Sequence, residues 1–96
     1  MKIGKFKFDF DTNALTIDGV EVPLTPKEGK ILRRLIENLN EFVSIRSFSE
    51  EKIDHYLINL RRLINTTDSP LIIDTSYSIC GMIVLREKSK EIAHIQ

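Results

Sequence analysis

At Thr25-Pro26-Lys27-Glu28 the hydrophobic repeat of this chain changes from every second residue to every third or fourth, and no other feature constrains its fold as much. Thr is a preferred N-cap, Pro is tolerated at the first helical position where no N–H is needed, and Glu three residues after Thr completes a capping box. A helix therefore starts here. Ile31, Leu32, Leu35, Ile36 and Leu39 fall on one face of it, with Lys27, Lys30, Arg33, Arg34 and Glu37 opposite.

Everything before the switch reads as sheet. Lys2 to Phe10 alternates polar and apolar residues, a pattern that predicts one strand with Phe6, Phe8 and Phe10 on a shared face. Asp11-Thr12-Asn13 is turn chemistry, Ala14 to Ile17 is a second strand, and Asp18-Gly19 signals a two-residue hairpin before Val20 to Leu24. After the first helix, Glu41-Phe42-Val43 can form a short strand, and Ile45-Arg46-Ser47-Phe48 leaves room for at most one helical turn. Ser49-Glu50-Glu51 then supplies a second cap, and a helix over 50–64 is expected with Ile53, Tyr56, Leu57, Leu60, Leu63 and Ile64 inward. Residues 65–70 are loop-forming by composition, and Leu71 to Asp74 with Ile79 to Leu85 predict a closing hairpin tipped by Thr75 to Ser78. Residues 1–87 thus read as one domain, followed by a polar tail over 88–96.

Ninety-six residues, 42% of them hydrophobic, suffice for one self-supporting core. Fourteen basic residues balance fourteen acidic ones, so any affinity for a polyanion has to come from local placement rather than global charge. The single Cys80 cannot form an internal disulfide and sits in an apolar strand, where an inert buried thiol is the expectation. No apolar run reaches the length of a signal peptide or membrane span, so a cytoplasmic location is expected, whether free or as the cytoplasmic end of a membrane-bound regulator. His55, His94 and Cys80 have no zinc-like spacing, Asp9 and Asp11 read as strand-end solvation, and the glycines build no phosphate loop. Catalysis, metals and cofactors are therefore not expected.

The ordered set of Asp18-Gly19, Leu24-Thr25-Pro26-Lys27-Glu28, Asn40 to Ser44, Ile53 to Ile64 with Leu60-Arg61-Arg62, and Leu71 to Thr75 resembles the effector domain of OmpR/PhoB-type transcription regulators, with ToxR-like proteins among them. The resemblance spans residues 3 to 85. It implies an α+β fold: a winged helix-turn-helix with an N-terminal antiparallel sheet, a shortened second helix and a C-terminal hairpin wing. The implied function is transcription regulation, with duplex DNA read by the helix 50–64 in the major groove and the wing 74–80 on the backbone. Double-stranded DNA is the implied partner, together with a second copy of the chain and RNA polymerase or another regulator; no small-molecule ligand is expected. Two departures stand out. Positions usually basic in that family are Asn59 and Leu63, and the wing's usual Arg-Gly-x-Gly-Tyr is here Tyr77-Ser78-Ile79-Cys80-Gly81.

Helix N-terminal halves fit the major groove, while flanking cations and small donors hold phosphates. On that geometry Lys52, His55, Tyr56 and Asn59 are candidates for base contact, and Arg46, Arg61, Arg62, Ser76, Tyr77 and Ser78 for backbone contact. Each has an ordinary alternative: solvation for the exposed charges and His55, and core packing for Tyr56, which borders the apolar stripe. Ile58 lies on the polar side, where it suits a thymine methyl or a protein partner. A second function follows from that position, from the zero net charge and from the shortened middle helix: a winged helix that has become a protein-interaction module without DNA binding.

Overall fold

A computed structural model of the chain describes residues 1–48, 51–65, 69–75 and 81–88. The fold is a small α+β arrangement of a four-stranded antiparallel sheet, two helices and a three-stranded antiparallel sheet. The first sheet is a meander in the order β1 (Lys2–Ile3), β2 (Phe6–Asp9), β3 (Ala14–Ile17) and β4 (Val20–Val22). The single strand expected over Lys2 to Phe10 is in fact two. Gly4 takes φ 55°, a left-handed conformation open to glycine, and folds Ile3 back onto Phe6. The alternation survives the turn in β2, where Phe6 and Phe8 are buried while Lys7 and Asp9 are exposed; Phe10 is half-buried, edge-on to Phe8 with ring centroids 5.3 Å apart. Asp18 and Gly19 both have positive φ, 54° and 77°, as a type I′ hairpin turn requires, and Ile17 pairs with Val20 across it.

Helix α1 (Pro26–Glu37) begins where the capping box placed it. The Glu28 N–H donates to Thr25 Oγ1 at 3.2 Å and the Thr25 N–H donates to Glu28 Oε1 at 3.0 Å. Ile31, Leu32, Leu35 and Ile36 are buried. The turn between β2 and β3 docks on this helix: Arg33 donates to the Phe10 carbonyl at 2.8 Å, and a Cβ added to Gly29 would stand 3.1 Å from Asn13 Cβ. Asn40, left-handed at φ 66°, leads out of the helix and exchanges two hydrogen bonds with Glu87, from its Nδ2 to Glu87 Oε1 and from the Glu87 N–H to its Oδ1.

The chain then runs through β5 (Val43–Ser44) and one 3-10 turn (Ile45–Ser47) to helix α2 (Ile53–Asn65). The middle helical segment is therefore a single turn, as its length demanded. Strands β6 (Leu71–Thr75) and β7 (Met82–Glu87) form the closing hairpin, and β5 adds to its other side in the order β5-β7-β6. Central β7 buries Ile83, Val84 and Leu85 in succession, the run expected of a strand covered on both faces. One core joins the halves: Phe6, Phe8, Leu15 and Ile17 from the first sheet meet both helices and the inward residues of β6 and β7. Asn65 fastens α2 to β6, its Nδ2 donating to the Ile73 carbonyl and its Oδ1 accepting from the Ile73 N–H, each at 2.9 Å.

The segment expected to form a wing tip, with Ser76, Tyr77, Ser78 and Cys80, lies outside the described residues, as does the tail from 89 on. Among the described residues no helix is long and apolar enough to cross a membrane.

Candidate functional site

Helix α2 separates its two faces cleanly. Leu57, Leu60 and Ile64 are buried, chiefly against β6, while Asp54, His55, Ile58 and Arg62 face solvent. The helix starts later than the expected residue 50. Lys52 sits in the preceding turn with φ 60°, and its carbonyl accepts from the N–H groups of His55 at 3.0 Å and Tyr56 at 3.3 Å. A lysine in the left-handed region cannot continue a right-handed helix, so Glu51 and Lys52 form the lead-in and Ile53 opens the first turn. Helical phasing taken from residue 50 therefore misplaces Lys52, which is exposed but off the helix.

Facing the middle of α2 is the N-terminus of α1, and between them lies a groove of about 520 Å³ lined by Thr25, Glu28, His55, Tyr56, Ile58, Asn59 and Arg62. Its floor is a relay of hydrogen bonds. Glu28 is only 4% exposed; one carboxylate oxygen belongs to the capping box and the other accepts from Asn59 Nδ2 at 2.5 Å. Asn59 Oδ1 in turn accepts from Arg62 Nη2 at 2.7 Å. A carboxylate this far from water needs such donors, because desolvation penalises an unpaired charge heavily. Asn59, expected to reach outward to a base, is thus half-buried and joins the two helices.

The remaining candidates divide by position. His55 is exposed beside Tyr56, ring centroids 6.0 Å apart. Tyr56 is half-buried and packs on the core, which is the ordinary alternative named for it, and Lys27 Nζ lies 5.8 Å from its ring centroid, within cation–π range. Arg62 is exposed on the groove wall, and Arg46 is exposed in the 3-10 turn. Arg61 falls about 160° around the helix from Asn59, at roughly 100° per residue. It is half-buried at the core's edge, with its Nε buried and without a hydrogen-bond partner among the described residues. The structure therefore gathers His55, Tyr56, Asn59 and Arg62, keeps Arg46 and Lys52 on flanking turns, and sets Arg61 apart.

The sequence matches no protein-family model and no curated protein at a significant level. Among the described residues, no group of three or more His, Cys, Asp or Glu could hold a metal ion. What the groove offers is recognition chemistry: an imidazole, a guanidinium, an aromatic ring and the exposed methyls of Ile58 around a buried, hydrogen-bonded carboxylate.

Two parts of this site escaped the sequence reading. One is Lys27, which the helical repeat places only on the polar side of α1. The other is the second task of Glu28, since a capping box uses one oxygen of the carboxylate and the partner of the other depends on which helix lies opposite. Burial of a capping glutamate leaves no mark on local sequence.

Proposed function

We propose that this chain is a winged-helix domain of the OmpR/PhoB type that binds duplex DNA as a transcription regulator. The observation that carries the reading is the exposed face of α2: His55, Ile58 and Arg62 stand clear of the domain's own sheets, on a helix whose other face is held by the core. The order of elements supports the same reading, with α1, one turn and α2 forming a shortened helix-turn-helix and β6-β7 the wing. In this arrangement His55, Ile58 and Arg62 enter the major groove, Arg46 and Lys52 flank it, and Tyr56 and Asn59 brace the reading face from behind. Among the described residues, the exposed charges of α2 and its lead-in are Glu51 and Asp54 against Lys52 and Arg62, so binding depends on cations elsewhere in the domain and falls steeply with salt.

Fluorescence anisotropy with labelled genomic duplexes at low salt tests this. Arg62→Gln is expected to weaken specific duplex binding about tenfold or more, in line with about 1–3 kcal/mol for a good base or backbone contact. Absence of binding to any duplex at low salt would exclude the reading.

One observation favours a second reading, a protein-interaction surface. Ile58 is 66% exposed and has Asp54 and Arg62 one helical turn to either side. An antiparallel pairing of two copies centred on Ile58 sets Asp54 against the partner's Arg62 twice over, a self-complementary arrangement. Ile58→Asp abolishes self-association in sedimentation equilibrium on this reading, and a wild-type chain that stays monomeric at high concentration excludes it.

A further inference from the structure

Lys27, Lys30 and Arg34 occur at spacings of three and four along α1 and therefore form one row, and all three are solvent-exposed. The row starts at the groove, where Lys27 lies over the Tyr56 ring. It ends against the 3-10 turn, where Arg34 Nη1 donates to the Ser47 carbonyl at 2.9 Å and the guanidinium sits 5.0 Å from the Phe48 ring centroid. Arg46 is exposed on the same 3-10 turn, next in sequence to Ser47. Among the described residues neither acid of α1 pairs with Lys30 or Arg34: Glu28 is buried in the groove floor, and Glu37 pairs with Arg33 at 3.4 Å. In a chain with no net charge, this is a local concentration of positive potential continuous with the candidate reading face.

We infer that the Lys27-Lys30-Arg34 row of α1, together with Arg46 of the turn it ends against, is a rail for the phosphate backbone of the same duplex whose groove α2 enters. The inference rests on the DNA-binding reading and extends it to a helix face that reading does not use. The dimensions agree. At about 1.5 Å of rise per residue the row from Lys27 to Arg34 covers roughly 10 Å, and a DNA strand advances about 3.4 Å of axis per phosphate, so three cations face about three phosphates. The rail also supplies the cations that α2 lacks, because Glu51 and Asp54 offset Lys52 and Arg62 there. Contacts of this kind position a duplex without reading it, so their loss weakens all sequences alike.

The test is a salt titration of the full chain with a specific and a scrambled duplex of equal length. Each phosphate contact contributes about 0.9 to the slope of log K against log salt. Lys30→Gln/Arg34→Gln is therefore expected to reduce the slope by about two and to weaken both duplexes by the same factor, while Lys30→Arg retains the wild-type slope. Lys30→Gln alone, which leaves the Arg34 contacts with Ser47 and Phe48 intact, reduces it by about one. An unchanged slope in these variants, with Arg62→Gln still weakening the specific duplex, overturns the rail and leaves the α2 reading standing; the band would then suit an acidic protein surface instead. No duplex binding by the wild-type chain overturns both.

Discussion

Asn59 shows how one side chain can be claimed by the fold before it reaches a ligand. On the sequence alone it is a polar residue on the open side of an amphipathic helix. In the structure its amide donates to Glu28 and accepts from Arg62, so its replacement removes a donor from a buried carboxylate. Leaving a buried charged acceptor short of a partner costs about 1–3 kcal/mol or more. Asn59→Ala is accordingly expected to lower the unfolding free energy by that amount, read as a lower urea midpoint with little change in m. An unaltered midpoint would mean that the Asn59–Glu28 bond contributes nothing to the fold. Lys52 carries the opposite lesson: its left-handed φ of 60° is a conformation that asparagine or glycine adopts more readily, and nothing in its identity announces it.

At the scale of elements, the two helices are set by different means. Helix α1 is defined locally, by a capping box legible in four consecutive residues and present in full. Helix α2 is fixed at its far end by tertiary contact, since the Asn65 amide occupies both the carbonyl and the N–H of Ile73 as a neighbouring strand would. Asn65→Ala removes both bonds and is expected to cost about 2 kcal/mol, at about 1 kcal/mol per bond. It should also raise the hydrogen-exchange rate of the Ile73 amide above that of the β6 amides paired with β7. Unchanged protection of Ile73 would contradict this role. Within the first sheet, the division of the expected long strand into β1 and β2 has a local cause as well, the positive φ of Gly4. The alternation on either side of Gly4 suits one strand or two equally, which is why pattern alone did not separate them.

For the whole molecule, the decisive feature is that both sheets and both helices share one core. Leu60 is fully buried at its centre, on the helix that also carries the candidate site. Leu60→Ala is expected to destabilise the chain by about 2–5 kcal/mol. Far-ultraviolet circular dichroism and the environment of Tyr56 should then report a single coincident unfolding transition. Two separated transitions would show that the N-terminal sheet and the helix-hairpin half fold independently. The candidate site is equally a property of the whole. Its two walls come from residues about thirty positions apart, and the rail joins α1 to a turn more than ten residues downstream.

The sequence by itself determined the switch from sheet to helix at Thr25, the Asp18-Gly19 hairpin, the inward residues of both helices and the brevity of the middle turn. Each of these depends on interactions within a few residues or on a repeat that burial imposes directly. Only the tertiary structure decided where α2 begins, what Glu28 and Asn59 bind, which arginine borders the core, and that Lys27 of α1 lies over Tyr56 beside the groove. Those outcomes depend on which surfaces meet across the core, and hydrogen bonds between distant segments leave no periodicity in the chain that forms them.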